Sequence, residues 1–222
     1  MKELILYAND LFKVKHFYDG VLNFTIAFEK KNEIGFFIGE SLLIFRYRNQ
    51  DIPSYHFAIN VPSNMENEVL DWLGKRTDLL SFEGKPIIDF VNWNAKAVYC
   101  LDYNNNVVEF IARKNLNINE TGKFEAGLAL ALSEIGLVCT TIKEVYNRFN
   151  TSCALQIYHG DFLGFCAIGD EEGLFIVVDP SKKYWFPTKI LAQPIDFKLK
   201  MEKGAVKYEV EYINNKLKII EL

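Results

Sequence analysis

Short runs of alternating apolar and polar residues, interrupted by one helical stretch, make up the first fifty residues. Residues 2–9 alternate as a β-strand. The next segment has the i, i+3, i+4, i+7 spacing of an amphipathic helix, at Val14, Phe17, Tyr18 and Val21, and Asn9 or Asp10 can cap it. Three more strand-like runs follow at 24–28, 35–38 and 41–47. The pattern predicts strand, helix, strand, strand, strand.

This order restarts along the chain. A second copy has a strand at 55–61, a capping box at 63–66 followed by a helix, and strands at 95–101 and 107–112. A third copy has a strand at 134–139, a capping box at 141–144 with its helix, and strands at 162–168 and 174–178. The last quarter contains strands alone, at 195–199, 206–212 and 216–222. The chain is therefore an internal repeat of βαβββ units whose fourth copy lacks its helix.

A polar stretch at 114–125 lacks apolar periodicity and separates the second copy from the third. It predicts a linker between two domains, at 1–113 and 126–222, the second shortened. The expected fold class is α+β.

Bulk composition excludes several classes of protein. Hydrophobic residues make up 50% of the chain and charged residues 24%, which is ordinary for a globular protein. The net charge of −4 argues against a nucleic-acid partner. The N-terminus lacks the pattern of a secretory signal, and the longest apolar stretch, 127–139, is too short to span a membrane. We expect a cytoplasmic protein without a membrane partner, whose four cysteines are reduced and structural.

Three polar residues stand out on short apolar strands. Alternation places Glu3, His56 and Glu109 on the mixed face of their strands, where the apolar faces opposite should meet the helices. One imidazole and two carboxylates form a suitable set of ligands for a divalent metal. The alternative is structural, with His56 semi-buried and satisfied, Glu3 frayed and Glu109 in a salt bridge.

The motifs along residues 1–113 resemble those of the vicinal oxygen chelate superfamily. That group includes glyoxalase I, fosfomycin and bleomycin resistance proteins and extradiol dioxygenases. The resemblance is carried by Asp10-Leu11, His16-Phe17-Tyr18, Val21-Leu22-Asn23-Phe24, Tyr55-His56-Phe57-Ala58 and the segment 102–110. Over 126–222 it rests on 133–137, 165–177 and 219–222.

This resemblance implies paired βαβββ units that form half-open, barrel-like domains with a divalent metal (Mn, Fe, Zn, Ni or Mg) on the concave face. The metal ligands it implies are Glu3, His56 and Glu109, although Glu3 stands where the family most often has histidine. The implied function is a metal-dependent lyase, isomerase or oxygenase acting on a small oxygen-chelating molecule. One alternative is a metal-free binding or sequestering protein of the bleomycin-resistance type, and a third is a pure interaction role. Extradiol cleavage ranks low because it requires two histidines, and His16 and His159 are poorly placed to help.

Other residues have weaker indications. Tyr7, Arg46 and Tyr99 are candidates for substrate binding, as hydrogen-bond donors or anion contacts, although rim charges and core aromatics are commoner roles. In the second half we expect three acids to be solvated charges, namely Glu134, Asp196 and Glu221. The aromatic turn at 182–187 is expected to plug the space between the domains. The units can pair within one chain or across a homodimer.

Overall fold

The computed structural model describes residues 1–181 and 183–222 and contains three α-helices and sixteen strands in that part of the chain. The first two units comprise β1 (Glu3–Ala8), α1 (Leu11–Lys15) with a π-helical turn (His16–Val21), β2 (Ile26–Lys30), β3 (Glu33–Ile38), β4 (Ser41–Tyr47), β5 (His56–Val61), α2 (Glu66–Gly74), β6 (Leu79–Leu80), β7 (Ile88–Phe90), β8 (Ala95–Leu101) and β9 (Val107–Arg113). The last two comprise β10 (Ala131–Val138), α3 (Ile142–Cys153), β11 (Ile157–Gly160), β12 (Phe165–Asp170), β13 (Gly173–Val178), β14 (Phe197–Lys203), β15 (Val206–Ile213) and β16 (Lys216–Glu221). The predicted α+β class and the βαβββ repeat are confirmed.

Two open sheets combine the four units. The first sheet has the order β16-β15-β14-β1-β4-β3-β2, and the second has the order β11-β12-β13-β10-β5-β9-β8-β6 with β7 also on β8. Unit one therefore shares a sheet with unit four, and unit two with unit three. In each sheet the opening strands of the two units pair antiparallel, β1 with β14 and β5 with β10. This differs from the expected pairing of unit one with unit two.

One hydrophobic core holds the two sheets together. The face of β1 that carries Leu4 and Leu6 belongs to the same buried cluster as the face of β5 that carries Phe57 and Ile59, and α2 and α3 contribute to it as well. Alternation then turns the opposite face of each sheet away from this core. On the second sheet that opposite face carries a separate apolar cluster, around Ala58, Tyr99, Ile111, Ile176 and Trp185.

The helix caps follow the sequence only in part. Asp10 caps α1, because its carboxylate accepts a hydrogen bond from the Lys13 amide at 3.1 Å. The capping box predicted at Ser63 does not form, since the Ser63 hydroxyl donates to the Arg113 carbonyl at 2.7 Å instead. Thr141 lies at the N-cap of α3 without a side-chain cap bond. The four cysteines are free thiols, as predicted.

Among the described residues, none of the helices is both long and apolar enough to cross a membrane.

Candidate functional site

Three buried side chains converge on the outward face of the second sheet. His56 begins β5, Glu109 lies on β9 and Glu134 lies on β10. The His56 Nε2 atom is 3.6 Å from Glu109 Oε2 and 3.7 Å from Glu134 Oε2. One ligand atom from each side chain lies within 4.8 Å of the other two. We call these three residues the acid–imidazole cluster.

Strand register explains the convergence. Strand β5 lies between β9 and β10, and Ala58 is the cross-strand neighbour of both Glu109 and Glu134. His56 stands two residues before Ala58 and therefore shares its face. The methyl group of Ala58 leaves room above it, so the imidazole and both carboxylates can lean towards one point.

Glu3 is not part of this cluster. It lies on β1 in the first sheet, where its carboxylate pairs with Lys200 Nζ at 2.9 Å. Glu134 stands in its place because unit three, and not unit one, supplies the opening strand that pairs with β5. The expectation that Glu134 is a solvated charge was wrong, since only 2% of the residue is exposed. Of the other two acids, Asp196 pairs with Arg48 at 2.8 Å, and Glu221 is exposed.

The structure brings one of the three weaker candidates to the cluster. Tyr99 is the cross-strand neighbour of Glu109, and its hydroxyl hydrogen-bonds to that carboxylate. Tyr7 lies in the first sheet, where the centre of its ring is 3.6 Å from Cζ of the Arg48 guanidinium. Arg46, in the same sheet, donates to Glu33 at 3.0 Å.

Arg113 supports the cluster from the end of β9. This arginine is fully buried and donates one hydrogen bond to Glu134 Oε1 and another to Asn60 Oδ1, the latter at 3.1 Å. The ion pair occupies one oxygen of Glu134 and leaves Oε2 facing His56. Sequence reasoning missed Arg113, because a lone arginine at a strand end carries no pattern that marks it as buried.

The His56 ring is oriented by a backbone carbonyl. Its Nδ1 lies 3.2 Å from Val107 O, so Nδ1 carries the proton and donates it there. In the neutral ring, the Nε2 lone pair then faces two carboxylate oxygens, all three being acceptors. Separations of 3.6 and 3.7 Å are too long for good direct hydrogen bonds. They are close to the spacing of roughly 3–3.5 Å between ligand atoms bound at about 2.1 Å to one ion. The donor set therefore fits a divalent metal.

Burial and mutual repulsion alter how the cluster ionises. Burial, together with the nearby Glu134 charge, raises the pKa of Glu109 to about 8. Burial alone would lower the pKa of His56, but the carboxylates of Glu134 and Glu109 outweigh it and the net shift is upward. Both groups therefore hold a proton more tightly in the folded protein than in the unfolded chain.

We expect the metal-free protein to lose stability as the pH rises from about 5 to about 8. A group whose pKa is raised by folding contributes its full stability below its pKa in the unfolded chain, and this contribution is lost as the pH rises through its pKa in the folded protein. The pKa values of Glu109 and His56 are both raised, so the two contributions have the same sign. Urea unfolding in the presence of EDTA at several pH values measures the trend. Glu109→Gln is expected to flatten it, and a slope unchanged by this substitution would contradict the assignment.

A cavity of about 260 Å³ opens over the cluster. Trp185 forms part of its wall, with its ring centre 5.6 Å from that of His56 and its Nε1 donating to Ser54 O at 2.9 Å. A Cβ at Gly136 would lie 2.4 Å from this indole, so glycine is needed there. The turn around Trp185 covers the cavity where residues of the two predicted domains, 1–113 and 126–222, meet. Residue 182, part of the predicted plug, lies outside the described residues.

The approximate two-fold relation of units two and three is broken at one position. Ile176 pairs with Gly136 on β13 and β10 in the same way that Glu109 pairs with Ala58 on β9 and β5. A symmetric site would have a fourth acid there, whereas Ile176 is aliphatic and lines the cavity. The cluster therefore offers three protein ligands, and a buried aliphatic side chain stands in the fourth place.

Comparison with known proteins found similarity in structure but not in sequence. No family model matches the chain, and the search of curated proteins gave no significant match. A provisionally assigned dioxygenase from Bacillus subtilis superimposes over 100% of this chain and 84% of its own, with a TM-score of 0.64 and 10% identity.

Two other solved structures match about half of the chain. A glyoxalase/bleomycin resistance protein/dioxygenase from Nocardioides covers 55% of this chain and 85% of its own, with a TM-score of 0.42 and 19% identity. A lactoylglutathione lyase from Agrobacterium tumefaciens covers 50% of this chain and 90% of its own, with a TM-score of 0.40 and 21% identity. These neighbours belong to the vicinal oxygen chelate superfamily, and the chain has the glyoxalase-type fold of tandem βαβββ units.

Proposed function

We propose that the protein is a divalent-metal-dependent enzyme, a lyase, isomerase or oxygenase, that acts on a small oxygen-chelating molecule at the acid–imidazole cluster. The observation that carries this proposal is the convergence of three buried acceptors, His56 Nε2, Glu109 Oε2 and Glu134 Oε2, on one point. Buried acceptors that face one another are costly unless a metal ion or bound protons lie between them.

The residues around the cluster would each have a separate role. A bound metal would polarise a substrate oxygen. Arg113 holds Glu134 in place, the Val107 carbonyl fixes the tautomer of His56, and the Tyr99 hydroxyl can hold or deliver a proton beside Glu109. The imidazole favours Mn²⁺, Fe²⁺, Ni²⁺ or Zn²⁺ over Mg²⁺, which prefers oxygen ligands.

Metal-dependent thermal stabilisation tests the proposal. Protein freed of metal with EDTA is expected to gain several degrees in Tm when one of Mn²⁺, Fe²⁺, Ni²⁺ or Zn²⁺ is added in excess over its Kd. The variant His56→Ala is expected to lose this gain. Absence of stabilisation by any of these ions or Mg²⁺, together with metal-free protein by elemental analysis, would refute the proposal.

A metal-free ligand-binding protein is the second candidate, and the Arg113–Glu134 ion pair favours it. Because Arg113 already balances one carboxylate, a single proton held by either Glu109 or His56 leaves the cluster without net charge. In that case the cavity holds its ligand by burial alone, and ligand binding survives His56→Ala. In the metal-dependent case, the same substitution abolishes binding.

A further inference from the structure

Aromatic rings form a continuous series of contacts along the wall of the cavity. We call this series the aromatic collar: Tyr99, Phe186, Phe90, Trp93, His159 and Phe165, in the order in which neighbouring rings touch. Successive ring centres are 6.0 to 6.4 Å apart. Unit two, unit three and the covering turn each contribute to the collar. All of its members except His159 line the cavity itself.

The collar leaves ring surface available to a ligand. Phe90, Trp93 and Phe165 are only partly buried, and 39% of Phe186 is exposed. Packing a flat molecule against partly exposed aromatic rings buries their surface and is therefore favourable. Another aromatic ring is best accommodated in offset or edge-to-face contact. A volume of about 260 Å³ lies just below the usual range for drug-sized ligands and suits a single ring with its substituents.

One lysine stands at the mouth beside the collar. The Lys183 ammonium lies 5.7 Å from the centre of the Phe165 ring, and Lys183 lines the cavity. Within the described part of the chain it makes no ion pair. The cavity thus has an acceptor-rich floor that suits a cation, apolar aromatic walls, and an unpaired positive charge at its rim.

We propose that the ligand is a small planar aromatic molecule with oxygen donors at one end and an anionic group at the other. Its oxygen donors would face the acid–imidazole cluster, its ring would pack within the aromatic collar, and its anionic group would meet Lys183. The chelating end rests on the proposed function, whereas the aromatic and anionic preferences rest on the collar and on Lys183 alone.

Paired probes separate these preferences. Salicylate and 5-sulfosalicylate share the same hydroxyl and carboxylate pair, but only the second carries a sulfonate at its far end. Isothermal titration calorimetry is expected to show about three- to fivefold tighter binding of 5-sulfosalicylate, since Lys183 is exposed and an ion pair with an exposed lysine contributes only a modest factor. The advantage should disappear in Lys183→Gln and persist in Lys189→Gln, a lysine of the same turn that does not line the cavity. The saturated counterpart 2-hydroxycyclohexanecarboxylate should bind about tenfold more weakly than salicylate.

Each titration is run both with EDTA and with added Zn²⁺. If the protein prefers the aromatic and the sulfonated ligands in EDTA, and no metal raises its Tm, the inference is supported and the metal-dependent function is refuted. If a metal raises the Tm but the two ligands of each pair bind equally well, the metal-dependent function is supported and the inference is refuted. The inference is also overturned if Lys183→Gln keeps the full preference for 5-sulfosalicylate.

Discussion

Replacing Glu134 with glutamine is expected to lower the affinity for a divalent ion by about a hundredfold or more, whereas Glu3→Gln is expected to leave it unchanged. The two acids occupy equivalent places on the opening strands of their units, seven residues before Thr141 and Asp10 respectively. Only Glu134 lies in the acid–imidazole cluster, because Glu3 is paired with Lys200 in the other sheet. Glutamine has nearly the same shape as glutamate but carries no charge, so each substitution removes a charge without changing the packing.

Calorimetric titration of Zn²⁺ or Mn²⁺ into EDTA-treated, re-dialysed protein measures the difference. Both variants make the same chemical change, so Glu3→Gln controls for the loss of one carboxylate from the molecule. If the two substitutions weaken metal binding equally, the cluster is not the site. If Glu3→Gln has the larger effect, the site lies on the first sheet.

The second large effect is expected from Arg113→Met, which should lower the free energy of unfolding of the metal-free protein by about 3–5 kcal/mol. The substitution leaves Glu134 buried beside Glu109 without its counter-ion. The double variant Arg113→Met/Glu134→Gln should recover much of the loss, because the uncompensated charge is then absent. Urea unfolding followed by tryptophan fluorescence gives the three values.

Lys114→Met is the matched control. It removes the next cation in the chain, whose ammonium is half-buried and pairs with Glu66 at 2.8 Å. Since a pair of this kind contributes at most about 1 kcal/mol, Lys114→Met should lower the free energy of unfolding much less than Arg113→Met does. Equal destabilisation by the two methionine variants, or no recovery in the double variant, would show that Arg113 acts through packing alone. Should Arg113→Met fail to fold, folding of the double variant still decides the point.

The repeat, the fold class and two members of the cluster were accessible from sequence. Period-2 alternation identified the faces of β5 and β9 and thus placed His56 and Glu109 on the side away from the core. The turn-rich segment 102–110 and the apolar strands supplied the family resemblance. These signals are local, because each depends on residues within one strand or one turn.

The partner of β5 was not accessible in this way. Opening strands β1 and β10 have the same pattern, with an acid before an apolar run, so alternation cannot decide which of them pairs with β5. Pairing depends on how whole units pack, which is a property of the assembled core. The same limit explains why Arg113 and Trp185 were missed as parts of the site, since both reach the cluster through tertiary contacts.

The strand order makes the site-bearing half an insertion within the other half. The first sheet is completed only when β14 pairs with β1, whereas the second sheet is formed from the continuous stretch between β5 and β13. Cutting the chain between residues 114 and 125 would leave His56 and Glu109 on one fragment and Glu134 on the other. Neither half could then carry the complete ligand set alone, and any minimal fragment that retains it must be excised from the middle of the chain.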